Sequence, residues 1–121
     1  MMDRETQGLG GVVQQLVIRL LPDGNPDVQS VAELVSVSPR TLQRRLSDEG
    51  LTFAGVVARA RFDVARRMLA DPARKVVDVA LDLGYSDQAH FTRAFVRWTG
   101  LAPREFRRLR SRGLDAGTMA R

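Results

Sequence analysis

Apolar residues return every three or four positions through most of this chain, and nowhere do they alternate for long enough to make a useful strand. The pattern therefore predicts an all-α fold. Leu9, Val12, Val13, Leu16, Val17, Leu20 and Leu21 form the stripe of a first amphipathic helix, which stops before Pro22-Asp23-Gly24-Asn25-Pro26. Val28, Val31, Ala32 and Val35 predict a short second helix, broken at Ser36-Val37-Ser38. Ser38 is suited to accept an orphan backbone N–H at the start of a third helix, and Pro39 after it has no N–H to lose. That helix runs to about Asp48. It buries Leu42 and Leu46 and leaves Arg40, Thr41, Gln43, Arg44 and Arg45 outside, and Gly50 stops it.

Thr52 is placed to cap a long helix ending near Ala70, with Val56, Val57, Ala60, Val64, Ala65, Met68 and Leu69 facing inward. At 1.5 Å per residue such a helix spans about 27 Å, not far below one turn of B-DNA at about 34 Å. The earlier pattern then returns. Val76, Val79, Ala80 and Leu83 make a short helix closed by Gly84. Ser86 is expected to cap the next one, with Asp87 in its first turn, and Phe91, Phe95 and Trp98 on its buried face. Gly100 ends it, and Pro103 opens a last short helix containing Phe106 and Leu109.

The return is a repeat. Ala32 and Ala80 are 48 positions apart, as are Ser36 and Gly84, and Leu42/Phe91 and Leu46/Phe95 are 49 apart. Small residues at Ala32 and Ala80 let two helices approach closely across a tight turn. Gly84 takes a left-handed turn readily; Ser36, at the equivalent point, is poorer for it. Two helix-turn-helix units are thus expected, about 28–50 and 76–100, joined by a linker helix over about 52–70. Residues 1–8 are expected to be disordered and 111–121 to form a flexible tail.

Composition narrows the chemistry. The 121 residues fit one domain with a real core and include no Cys, so disulfides and thiolate metal sites are excluded. No apolar run approaches a membrane span, and the start is not a signal peptide, so a cytoplasmic location is expected. Net charge is +5, but residues 31–112 alone carry 16 Lys and Arg against nine acids. A positive body over the repeated units suits a polyanion, although 18 of the 19 basic residues are Arg, which a high-GC genome would also produce.

With both units placed, the chain resembles the DNA-binding domain of the AraC/XylS family of bacterial transcription regulators. The residues that carry the resemblance are Ser38-Pro39-Arg40-Thr41-Leu42-Gln43-Arg44-Arg45-Leu46 and Arg61-Phe62-Asp63-Val64-Ala65-Arg66-Arg67-Met68-Leu69. The most specific stretch runs from Val79-Ala80 through Gly84-Tyr85-Ser86 to Phe91-Thr92-Arg93-Ala94-Phe95, followed by Trp98-Thr99-Gly100-Leu101-Ala102-Pro103. Residues 9–110 are covered, with Ala102 departing from the common capping Ser or Thr. The resemblance implies about seven helices, double-stranded promoter or operator DNA as partner, activation through contact with RNA polymerase, and two recognition helices in adjacent major-groove segments. It implies base reading by Arg40, Gln43 and Arg44 on the first recognition helix, and by Gln88, Ala89, His90, Thr92 and Arg93 on the second.

The side chains themselves suit those roles. Arg bonds guanine O6/N7 through its fork, and Gln pairs with adenine N6/N7. Arg40 and Arg93 stand between base and phosphate roles, and Arg45 between phosphate and solvent. The run Arg104, Arg107, Arg108, Arg110 and Arg112 is either a solvated face or a phosphate contact. His90 is the single histidine and lacks metal-ligand or catalytic partners in the pattern, so no metal, cofactor or enzymatic activity is expected. Asp78 and Asp82, four apart, read as surface charge that pairs with Arg74 or Lys75. Leu9-Gly10-Gly11 is too short for a phosphate loop. No heptad seam suggests a dimer, so a monomer is expected. The alternative is a helical module that grips another protein and not DNA.

Overall fold

Each apolar stripe becomes a helix in the computed structural model, which describes residues 2–21, 24 and 26–111. The order is α1 (Met2–Leu20), α2 (Val28–Leu34), α3 (Pro39–Asp48), α4 (Phe53–Leu69), α5 (Val76–Asp82), α6 (Gln88–Thr99) and α7 (Pro103–Ser111). No strand occurs among the described residues. The chain divides into two compact units, one ending at Arg61 and the other beginning at Phe62. The division falls inside α4, which is uninterrupted from Phe53 to Leu69. The expected tail beyond Ser111 lies outside the described residues.

In the first unit, Val13 and Val17 of α1, Val31 and Ala32 of α2, Leu42 and Leu46 of α3, and Val56 and Ala60 of α4 form the buried core. Helical backbone extends N-terminal to Leu9, where the apolar period begins, but Gly8 breaks it with φ 60° and ψ −157°. The stretch that resumes after Gly8 is capped from a distance. The Glu49 carboxylate accepts the Leu9 N–H at 2.9 Å and the Gly10 N–H at 3.0 Å, satisfying two orphan donors where negative charge is favoured. A Cβ at Gly10 would stand 2.3 Å from Leu51 Cδ1 and 3.0 Å from Glu49 Oε1, so any larger residue there would make the exposed Leu51 side chain shift.

The second unit is built around aromatic rings. Phe95 lies with its ring centroid 6.0 Å from Phe62, 5.7 Å from Phe91, 6.1 Å from Trp98 and 5.1 Å from Phe106. Two of these four contacts, those with Trp98 and Phe106, have the edge-on geometry that the ring quadrupole favours. Phe62, on α4, is fully buried and also packs on Trp98 and Phe106, although the periodicity of α4 does not single it out. Arg107, from the basic run, is half-buried and serves the fold. Its guanidinium donates to the carbonyls of Leu69 at 3.0 Å and Arg74 at 2.6 Å, with Asp71 O at 3.4 Å, and so closes the C-terminal end of α4. Elsewhere in the run, Arg108 pairs with Glu105 and Arg110 lies over the Phe106 ring. Arg74 pairs with Asp82, one of the pairings open to the acids of α5.

The backbone repeats more faithfully than the side chains do. Ser36 N–H donates to Glu33 O and Val37 N–H to Ala32 O; Gly84 N–H donates to Leu81 O and Tyr85 N–H to Ala80 O. Both are Schellman turns, in which the residue after the cap must be left-handed. Gly84 has φ 93°, and Ser36 has φ 62°, the single positive φ at a non-glycine among the described residues. A left-handed conformation costs an L-residue roughly 1–2 kcal/mol, against about 0.5–1 kcal/mol for the extra chain entropy of glycine. Ser36→Gly is therefore expected to stabilise the first unit by about 0.5–1 kcal/mol, seen as a rise of several degrees in melting temperature. An unchanged or lower midpoint would mean that the Ser36 backbone relaxes at no cost.

Candidate nucleic-acid interface

Helix α3 begins as its sequence requires. Ser38 Oγ accepts the Thr41 N–H at 3.1 Å, Pro39 occupies the first turn, and Leu42 and Leu46 are fully buried. With those two residues fixed inward, a 3.6-residue period turns Arg40, Gln43, Arg44 and Ser47 outward together. All four are exposed, and none makes an ion pair or side-chain hydrogen bond among the described residues. Arg45 is also exposed but sits on the flank of that face, in the last turn, where its charge suits the helix end. The result is a band of two guanidiniums, one amide and one hydroxyl, with exposed Asp48 one turn after Arg44 at the end of the helix.

Helix α6 differs from the sequence expectation at its start. Asp87, not Ser86, is the N-cap: its carboxylate accepts the His90 N–H at 2.9 Å. Both residue types cap well, and the backbone is extended at Asp87, with φ −158° and ψ 173°, so the carboxylate meets the first turn. The backbone and ring hydrogen bonds from His90 hold the Asp87 carboxyl below the usual carboxylate range. The His90 ring turns back, with Nδ1 3.0 Å from Asp87 Oδ1 and 3.2 Å from Ser86 Oγ. His90 is thus tied to the start of its own helix.

Superposing the repeat by its buried residues, Leu42 on Phe91 and Leu46 on Phe95, sets Arg40, Gln43, Arg44 and Ser47 against Ala89, Thr92, Arg93 and Val96. Ala89, Arg93 and Val96 are exposed and Thr92 is half-buried. Three of the five expected residues, Ala89, Thr92 and Arg93, therefore share the outward face. Gln88 and His90 fall beside it, and Gln88 is half-buried against Lys75, Arg104 and Arg107. Sequence reasoning missed Val96, which is 40% exposed in spite of being apolar, and Arg97 next to it. The missed signal is the repeat, since Val96 occupies the place of Ser47. An exposed methyl-bearing side chain on such a face suits the C5-methyl of thymine.

The geometry agrees with what is found among known proteins. A family model described as a helix-turn-helix domain matches residues 31–109, taking in both turns. The HTH-type transcriptional regulator VirS of Mycobacterium tuberculosis is 41% identical over 92 residues, which are 76% of this chain and 27% of that protein. A crystal structure from Chromobacterium violaceum, of a transcriptional regulator described by its AraC-type DNA-binding domain, shares the fold: TM-score 0.78 at 23% identity, over 89% of this chain and 96% of that one. The chain belongs to the AraC-type helix-turn-helix family. This AraC-type chain also matches, at 26% identity and TM-score 0.69, the DNA-binding domain of AdpA, a global transcriptional factor solved in complex with a target DNA; 85% of this chain and 94% of that one are covered. It spans 27% of the length of VirS and 31% of the regulator VqsM. Among the described residues of the AraC-type chain, no helix is long and apolar enough to cross a membrane.

Proposed function

We propose that this AraC-type domain is a sequence-specific double-stranded DNA-binding transcription regulator, an activator that places α3 and α6 in adjacent major-groove segments. The observation that carries the reading is the twice-built turn. In each unit a Schellman turn and a side-chain cap present a recognition helix whose inner residues are fully buried and whose outer face is mostly polar, with one acid, Asp48, in the last turn of α3. An α-helix of that kind fits the major groove, where base edges are distinguishable. The likeness to the AdpA domain, solved with its target DNA, supports the same reading.

Roles follow from side-chain chemistry. Arg40, Gln43 and Arg44 read base edges from α3; Ala89, Thr92 and Arg93, with Val96, do so from α6. Arg45 serves a flanking phosphate. His90, held by Asp87 and Ser86, presents its ring at the edge of the α6 face. The domain acts as a monomer on an asymmetric site and contacts RNA polymerase from a surface outside the two recognition faces. The direct test is a band-shift titration with a random duplex and with a site selected from a random oligonucleotide pool, each at low and high salt. Binding to both must weaken steeply with salt, with the selected site retaining an advantage on the order of 1000-fold or more. Salt-independent binding, or no preference, would contradict the proposal.

A further inference from the structure

Beside α6 the second unit holds a groove of about 310 Å³, lined by Lys75, Val76, Val77, Gln88, Arg104 and Arg107. Its ionisable lining among the described residues is entirely cationic. Arg107 forms a fixed wall, because three backbone carbonyls hold its guanidinium while no carboxylate neutralises it among the described residues. Lys75 and Arg104 are exposed and make no ion pair or side-chain hydrogen bond among the described residues. Lys75 stands at the N-cap position of α5 without bonding to it. The nearby acid of α7, Glu105, is engaged by Arg108 at 2.9 Å. Three positive charges line the groove and no carboxylate does, the other acids near it along the chain being Asp78 in the first turn of α5 and Asp87 at the cap of α6; an amide from the first residue of α6 joins the three.

We infer that this groove grips a phosphate of the DNA backbone at the edge of the segment that α6 enters. Lys75 and Arg104 supply the movable charges, Arg107 the fixed one, and Gln88 an N–H donor. The inference rests on the DNA-binding reading and reassigns Gln88 from base edge to phosphate. A point-charge ammonium and a forked guanidinium around a half-buried amide suit a tetrahedral anion that approaches from one side. Such a clamp fixes the register of α6 and carries no sequence information of its own.

The test compares the wild-type chain with the K75Q/R104Q double variant and with Q88A, on the selected site and on random duplex, across a salt series. For K75Q/R104Q the slope of log affinity against log salt should become shallower by about 0.9, one phosphate's worth, with affinity falling by the same factor on both duplexes. Q88A should likewise weaken both duplexes equally and leave the preferred bases unchanged. Neutralising single phosphates of the selected site with methylphosphonates should locate one position that weakens the wild type and leaves the double variant indifferent. An unchanged slope in K75Q/R104Q, or a shifted base preference in Q88A, would overturn the groove while leaving DNA binding intact. Salt-independent binding by the wild type would instead overturn the functional reading beneath it. Melting curves of the variants should superpose on the wild type, since Lys75 and Arg104 are exposed and partnerless among the described residues.

Discussion

Phe95→Ala is expected to lower the stability of the second unit by about 3–5 kcal/mol. The side chain is fully buried and is the one ring that touches four others, from α4, α6 and α7. Truncation removes the transfer free energy of the benzyl group and leaves a void that Phe62, Phe91, Trp98 and Phe106 cannot all close at once, because they are held on three helices, one of them the helix of Phe95 itself. Edge-to-face pairs add about 0.5–1.5 kcal/mol each beyond buried area, so the loss belongs at the upper end. A urea titration should show the midpoint falling sharply, with part of the population unfolded even without denaturant if the unit is of ordinary marginal stability. A midpoint within about 0.5 kcal/mol of wild type would mean that Phe95 is not the hub of this core. DNA binding should fall with the folded fraction and show no change in base preference.

Arg44→Ala is expected to behave in the opposite way. It should leave melting unaltered, because Arg44 is exposed and makes no ion pair or side-chain hydrogen bond among the described residues. On the selected site it should cost about 1–3 kcal/mol, a factor of roughly 5–150, and on random duplex very little. The reason is directional. Leu42 and Leu46 fix the roll of α3, and Arg44 is then turned directly away from them, one turn after Arg40. A guanidinium on that face is proposed to meet a guanine edge with both arms of its fork, a contact that Ala cannot make. Equal losses on both duplexes would reassign Arg44 to a phosphate. The two variants separate reading from folding: one loses affinity at full stability, the other stability at full specificity.

Much of this was legible from spacing alone. Leu42 with Leu46, and Phe91 with Phe95, set the roll of both recognition helices, and Ser38, Thr52 and the glycines marked where helices start and stop. What stayed hidden depends on contacts between distant segments. Phe62 is flanked by Arg61 and Asp63 in a helix whose stripe already had enough apolar residues, and its partners come from α6 and α7. Arg107 lies in a run that composition reads as solvated; its use becomes visible only when the end of α4 is brought beside it. Glu49 resembles the polar end of α3 until α1 arrives to be capped. Ser86 and Asp87 are both good caps, and propensity does not choose between neighbours. Gln88 and His90 were a matter of roll: a list of polar residues near the helix start includes them, and alignment on the buried aromatic residues sets them to the side. Ser36 was legible as a weak point, and the structure gives its reason as a left-handed backbone at a residue with a Cβ.

One chain is proposed to read two neighbouring stretches of a duplex with two equivalent helices. Base-by-base interference footprinting on the selected site, with the wild type beside Arg44→Ala and Arg93→Ala, tests it most directly. Two patches of major-groove protection are expected, their centres about one helical turn, or 10–10.5 base pairs, apart. Arg44→Ala should erase contacts within one patch and Arg93→Ala within the other. A single patch, or one patch weakened by both substitutions, would contradict it.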